Sequence, residues 1–176
     1  NALGRRLLVA TTDLDAEETV IWDLGALAAR GDRLGLKLFR EVLLASASVP
    51  GVFPPVIIAG RDANGGPLQE MHADGGVNTP FVAIPEGMML WTAPAERTRA
   101  GRIYVLVNGK LGAEHSETQG SLRGVLRRSY ESATKAALRT HLAATAGFAA
   151  RNGLQLYTSA VPEGVETAEL DFRSSS

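Results

Sequence analysis

At 176 residues, with 45% hydrophobic and 21% charged side chains, the chain has the length and composition of one ordinary globular domain, which excludes fibrous and disordered classes. A formal net charge of −1 argues against a nucleic-acid module, which carries a clear basic excess, and no apolar run approaches the roughly 20 residues of a transmembrane helix. The absence of cysteine removes disulfides, a thiol nucleophile and thiolate metal sites, and leaves the compartment open.

Apolar runs of strand length alternate with segments of helical period, the pattern of an α/β domain. The alternation predicts strands over residues 6–13, 18–24, 56–60, 68–74, 102–108 and 154–160. The first two are joined by the polar link Leu14-Asp-Ala-Glu17, short enough for a hairpin. Asp32 is placed to cap a helix with Leu38, Phe39, Val42 and Leu43 inward and Lys37, Arg40 and Glu41 turned to water. Pro50 ends that helix by disfavouring helical geometry at Val49, and a rigid loop follows. The turn-rich stretch 60–67 and the aperiodic stretch 85–101 are expected surface loops. A second helix fits residues 122–150, with Leu122, Val125, Leu126, Tyr130, Ala133, Leu138 and Leu142 as its stripe. On its other face Arg127, Glu131, Lys135 and Arg139 stand four apart, and Gly153 lies just past its end. Residues 173–176 form a polar tail.

Several polar residues have a plain structural reading. Asp13 and Asp15 could form a carboxylate pair for a cation, but a polar hairpin accounts for them more simply. His72 and Asp74 share a strand face; two ligands without a third do not make a metal site, so His72 is expected to be a hydrogen-bonded histidine. His115 and His141 are expected at the surface. Ser46 and Ser48 follow a helix, where hydroxyls bond its free carbonyls. Trp22, Phe39, Phe81 and Trp91 are expected core or pocket-wall residues.

The most informative string is His72-Ala-Asp-Gly-Gly-Val77. It sets a carboxylate at a strand end before two glycines, which can turn with positive φ and display Asp74 on a tight bend. With Ala10-Thr-Thr-Asp-Leu-Asp15 and Ala45-Ser-Ala-Ser-Val-Pro-Gly-Val-Phe-Pro-Pro55 before it, in this order, the chain resembles the later half of patatin-like phospholipases. The resemblance implies a three-layer α/β/α fold of which residues 1–172 are the C-terminal portion, and a serine lipid acyl hydrolase working through a Ser-Asp dyad. Asp74 would be the dyad base, Gly75 and Gly76 would shape its turn, and Ser48 and Phe53 would lie near the pocket. It further implies a lipid or acyl ester substrate, transient contact with a membrane surface, and no metal or organic cofactor.

The Gly-x-Ser-x-Gly elbow of that family is not in the sequence; the nearest string, Gly120-Ser-Leu-Arg-Gly124, has its serine one position early and no strand before it. The expectation is that nucleophile and oxyanion loop belong to a preceding segment, that this chain alone is inactive, and that its bare sheet edges favour association with that segment or a homo-oligomer. Two other classes stand beside this reading. One is a non-catalytic lipid- or protein-binding domain on the same fold. The other is a basic-helix interaction module on Arg123, Arg127, Arg128, Lys135 and Arg139, weakened by Glu131 and the near-neutral charge.

Overall fold

The first hairpin sets the frame. β1 (Leu8–Asp13) pairs antiparallel with β2 (Glu18–Asp23), and the link between them places Glu17 in the left-handed region at φ 57°. Asp13 stiffens this turn by accepting the backbone N–H groups of Asp15 and Ala16. β1 also pairs antiparallel with β4 (Pro67–Asp74), and β4 with β3 (Val56–Arg61), giving the order β2-β1-β4-β3. The β3–β4 turn closes on Asp62, whose carboxylate accepts the N–H groups of Asn64 and Gly66. The structure is a computed structural model that describes residues 5–84, 88–90, 92, 101–113, 115, 117, 118 and 120–165. Trp91 and the tail 173–176 lie outside the described residues, as does most of the expected loop 85–101.

Two helices cover one face of this sheet. α1 (Leu24–Ala29) is capped by Asp23, which accepts the Ala26 N–H; this short helix was not anticipated, since six residues hold too little of a period to read. α2 (Arg33–Ser46) starts at the expected cap, with Asp32 accepting the Gly35 N–H. Both caps carry a second support: Arg6 bonds Asp23 and Arg30 bonds Asp32. The core on this face is Leu24, Val42, Ala45 and Ile58, with Val9, Trp22, Leu38, Phe39 and Val56 packed around it. The strand residues of that set share a face by register: Val9 opposes Trp22, while Val56 and Ile58 oppose His72 and Glu70. Leu43, expected inward, stands 43% exposed, because the buried stripe of α2 runs through Gly35, Val42 and Ala45.

Contacts divide the chain into two compact units, Asn1–Val82 with Gly120–His141, and Ala83–Gln119 with Leu142–Ser176. In the second, β5 (Arg102–Val107) and β6 (Gln155–Ala160) pair in parallel. Parallel strands need a long crossover, and the helix α3 (Leu122–Arg151) precedes β6 in the chain. The α3 terminus is a Schellman-type end: Gly153 takes φ 62° and the Leu154 N–H returns to the Ala149 carbonyl. Leu154 thereby joins Ile84, Met89, Ile103, Ala144 and Phe148 in a second core. The predicted stripe of α3 is corrected at its start, where Leu122, Val125 and Leu126 are exposed. The charged row is real in part, with Arg127 bonding Glu131 at 2.9 Å.

Candidate functional site

β4 carries Asp74 to the end of the sheet, opposite Thr11 of β1. Its backbone is held from two sides: the Asp74 N–H donates to the Ser48 carbonyl at 3.0 Å, and the Thr12 hydroxyl donates to the Asp74 carbonyl at 3.0 Å. The side chain caps the single 3-10 turn Gly75–Val77, one carboxylate oxygen accepting the Gly76 N–H at 2.7 Å. Among the described residues no hydrogen bond is made to the other oxygen. Asp74 is half-buried.

Both glycines are needed, for a reason other than the expected one. Neither Gly75 nor Gly76 has positive φ. What excludes a side chain is close approach: a Cβ on Gly75 would lie 2.7 Å from the Ala10 carbonyl oxygen, and one on Gly76 would lie 2.9 Å from the Asp74 carboxylate. Gly75 lets β1 and the turn pack backbone to backbone, and Gly76 leaves room for the carboxylate that its own N–H binds.

Beside Asp74 lies a cleft of about 240 Å³ whose walls include Ala10, Ile21, Ser46, Gly75, Gly76 and Phe81. Phe81 therefore takes the pocket-wall place read for it, while Trp22 and Phe39 pack on the core. Ser48 is 2% exposed and does not line the cleft; its hydroxyl donates to the Leu44 carbonyl at 2.8 Å and its carbonyl anchors Asp74. Phe53 is 43% exposed and also stands off the cleft walls. Ser46, which does line it, donates to the Leu43 carbonyl, as expected of a hydroxyl at a helix end.

Two further residues belong to this neighbourhood. Burial holds the Tyr130 phenol above its ordinary range, opposed by a Thr134 hydrogen bond and reinforced by the negative charge of Asp74. His141, expected at the surface, packs edge-on to Phe81 with ring centroids 4.8 Å apart. Sequence reading missed both, because each sits on α3 far along the chain from the residues it faces.

His72 is the hydrogen-bonded histidine that the sequence predicts. Its Nδ1 lies 3.1 Å from the Thr11 hydroxyl, which also accepts the Trp22 indole N–H at 2.8 Å, and the Trp22 ring stands edge-on to it. The His72 Nε2 lies 3.7 Å from a Glu70 carboxylate oxygen, and His72, Glu70 and Asp13 each bring one donor atom within 4.8 Å of the others. Asp15 stands apart in role, accepting the Met71 N–H at 2.8 Å.

No protein-family model, curated protein or solved structure matches the chain.

Proposed function

We propose that this chain carries the aspartate of a Ser-Asp acyl hydrolase site of the patatin-like type, on the C-terminal portion of a three-layer α/β/α fold. The observation that carries the reading is convergence: the three sequence blocks on which the resemblance rests meet at one residue. The first supplies Thr11 opposite Asp74 and the Thr12 hydroxyl on its carbonyl, the second supplies the Ser48 carbonyl that fixes its N–H, and the third supplies Asp74 and its turn. One carboxylate oxygen is thereby oriented by Gly76, leaving the other for a proton-transfer partner at the cleft.

In this mechanism a serine from a segment outside this chain attacks the ester carbonyl while Asp74 takes its proton. Asp74 hands that proton to the departing alkoxide, so the alcohol leaves as the acyl-enzyme forms. The freed carboxylate then takes a proton from the water that attacks the acyl-enzyme and returns it to the serine oxygen as the fatty acid is released. Ile21 and Phe81 are side chains that would meet the acyl chain, in a cleft whose lining surface is otherwise largely polar. A fluorophosphonate probe tests the division of labour. The chain alone stays unlabelled, since it contains no Gly-x-Ser-x-Gly string, and a polypeptide that joins it to a serine-elbow segment is labelled. Robust labelling of the chain alone contradicts the reading.

A further inference from the structure

Asp13, Glu70 and His72, three groups that bind cations, converge on the helix-covered face of the sheet. Glu70 and His72 are two apart on β4 and so point to one face; Asp13 faces His72 directly across the β1–β4 register. His72 is fully buried and its Nε2 has no hydrogen-bond partner. The nearest carboxylate oxygen, Oε2 of Glu70, is 3.7 Å away, beyond hydrogen-bond reach. Asp13 is 4% exposed, and one of its oxygens is fixed by the N–H groups of Asp15 and Ala16. Thr11 Oγ1 has two lone pairs, one taken by the Trp22 N–H and one free to accept from Nδ1–H. With Nδ1 donating to Thr11, the Nε2 lone pair is free to act as a ligand beside the Glu70 carboxylate.

We propose that Asp13, Glu70 and His72 form a binding site for a divalent first-row cation, with Zn²⁺ or Mn²⁺ as the fitting chemistry. One imidazole and two carboxylates are a borderline donor set that suits these ions better than Mg²⁺ or Ca²⁺, which take oxygen ligands. An ion about 2.1 Å from each donor holds two donors up to about 4.2 Å apart, so the 3.7 Å between His72 and Glu70 already fits. The 4.8 Å limit on the group requires no more than a small carboxylate rotation. Thr11 acts as the positioning residue that fixes the tautomer and ring, as hydrogen-bond partners of metal-bound histidines do. Glu70, the half-buried member, gives the ion its route from solvent. This site is independent of the Asp74 reading; it uses the next same-face positions along β4.

The test is a titration of chelator-treated chain with ZnCl₂ by calorimetry, with circular dichroism as the check on folding. One ion binds per chain, Glu70→Gln and Asp13→Asn each weaken it more than about tenfold, and the isosteric Thr11→Val weakens it about 10- to 100-fold. Glu70 is half-exposed and its variant keeps the fold, so the outcome can be read even if a substitution at His72 does not fold. The imidazole ¹⁵N resonances of His72 shift on Zn²⁺ addition as Nε2 is engaged. Absence of binding up to about 1 mM ZnCl₂, affinity unchanged in both carboxylate variants, or a His72 Nε2 that stays protonated in saturating ZnCl₂ each overturns the proposal.

Discussion

In the four-stranded unit the central residues Leu24, Val42, Ala45 and Ile58 are at most 2% exposed, whereas the core of the β5–β6 unit, Ile84, Met89 and Phe148, keeps 7–8%. The strands differ in the same sense. β5 turns Ile103 and Val105 inward but leaves Tyr104 and Leu106 outward and exposed, Leu106 at 82%. Tyr104 stacks on its register partner Tyr157, ring centroids 5.0 Å apart. Four strands offer a face wide enough for two helices to seal, while a parallel pair is ordinarily covered on both faces and here has an apolar face bare among the described residues. The candidate site belongs to the sealed unit. Holding a carboxylate in one orientation requires neighbours that cannot give, and the neighbours of Asp74 are backbone carbonyls and glycines at contact distance.

On stability, the comparison can be broken or sharpened by substitution, the largest effect first. Ile58→Ala should cost toward the upper end of about 2–5 kcal/mol, and Phe148→Ala toward the lower end of about 3–5 kcal/mol, because the looser core relaxes into the space. Urea unfolding of the two variants checks this; a Phe148 penalty well above that of Ile58 breaks the contrast. Gly75→Ala should cost about 1–3 kcal/mol, since its Cβ meets backbone that cannot swing away. Gly76→Ala should cost less on the same assay, its obstacle being the Asp74 side chain, which can turn aside. Leu106→Ser, on the bare face, should change stability by no more than about 0.5 kcal/mol.

The smallest effect is one of pH. The Ala26 N–H, then Arg6, hold the Asp23 carboxyl below its ordinary value of 3.8, and the Gly35 N–H, then Arg30, do the same for Asp32. A carboxyl lowered in the folded state stabilises it above the unfolded pKa and loses that contribution as pH falls through the folded one. These two caps should therefore leave Tm flat from neutral pH down to about 4 and lower it below. Asp32→Asn should show a shallower acid limb than the parent; an equally steep one removes Asp32 from the account.

Much of the fold was legible because its signals are local. Each of the six expected strands is found among the described residues where alternation places it, and Asp32 and Gly153 cap their helices through chemistry carried by a few neighbouring residues. What was not legible depends on who faces whom. The strand order β2-β1-β4-β3 puts Asp13 opposite His72, and no spacing within one segment announces that pairing. The glycines after Asp74 were noticed for their freedom in φ, yet their work is to admit Ala10 and the Asp74 carboxylate, a contact made across the sheet in one case. The start of α3 has a helical apolar period in sequence, but period alone does not say whether anything covers it.

The central claim is that Asp74 is the base of a Ser-Asp site. It is tested most directly by acyl ester turnover of Asp74→Ala in the polypeptide that supplies the serine, with circular dichroism recorded on the same sample. The account predicts a fall in kcat/KM of about 10³- to 10⁴-fold with the spectrum retained; turnover near that of the parent contradicts it.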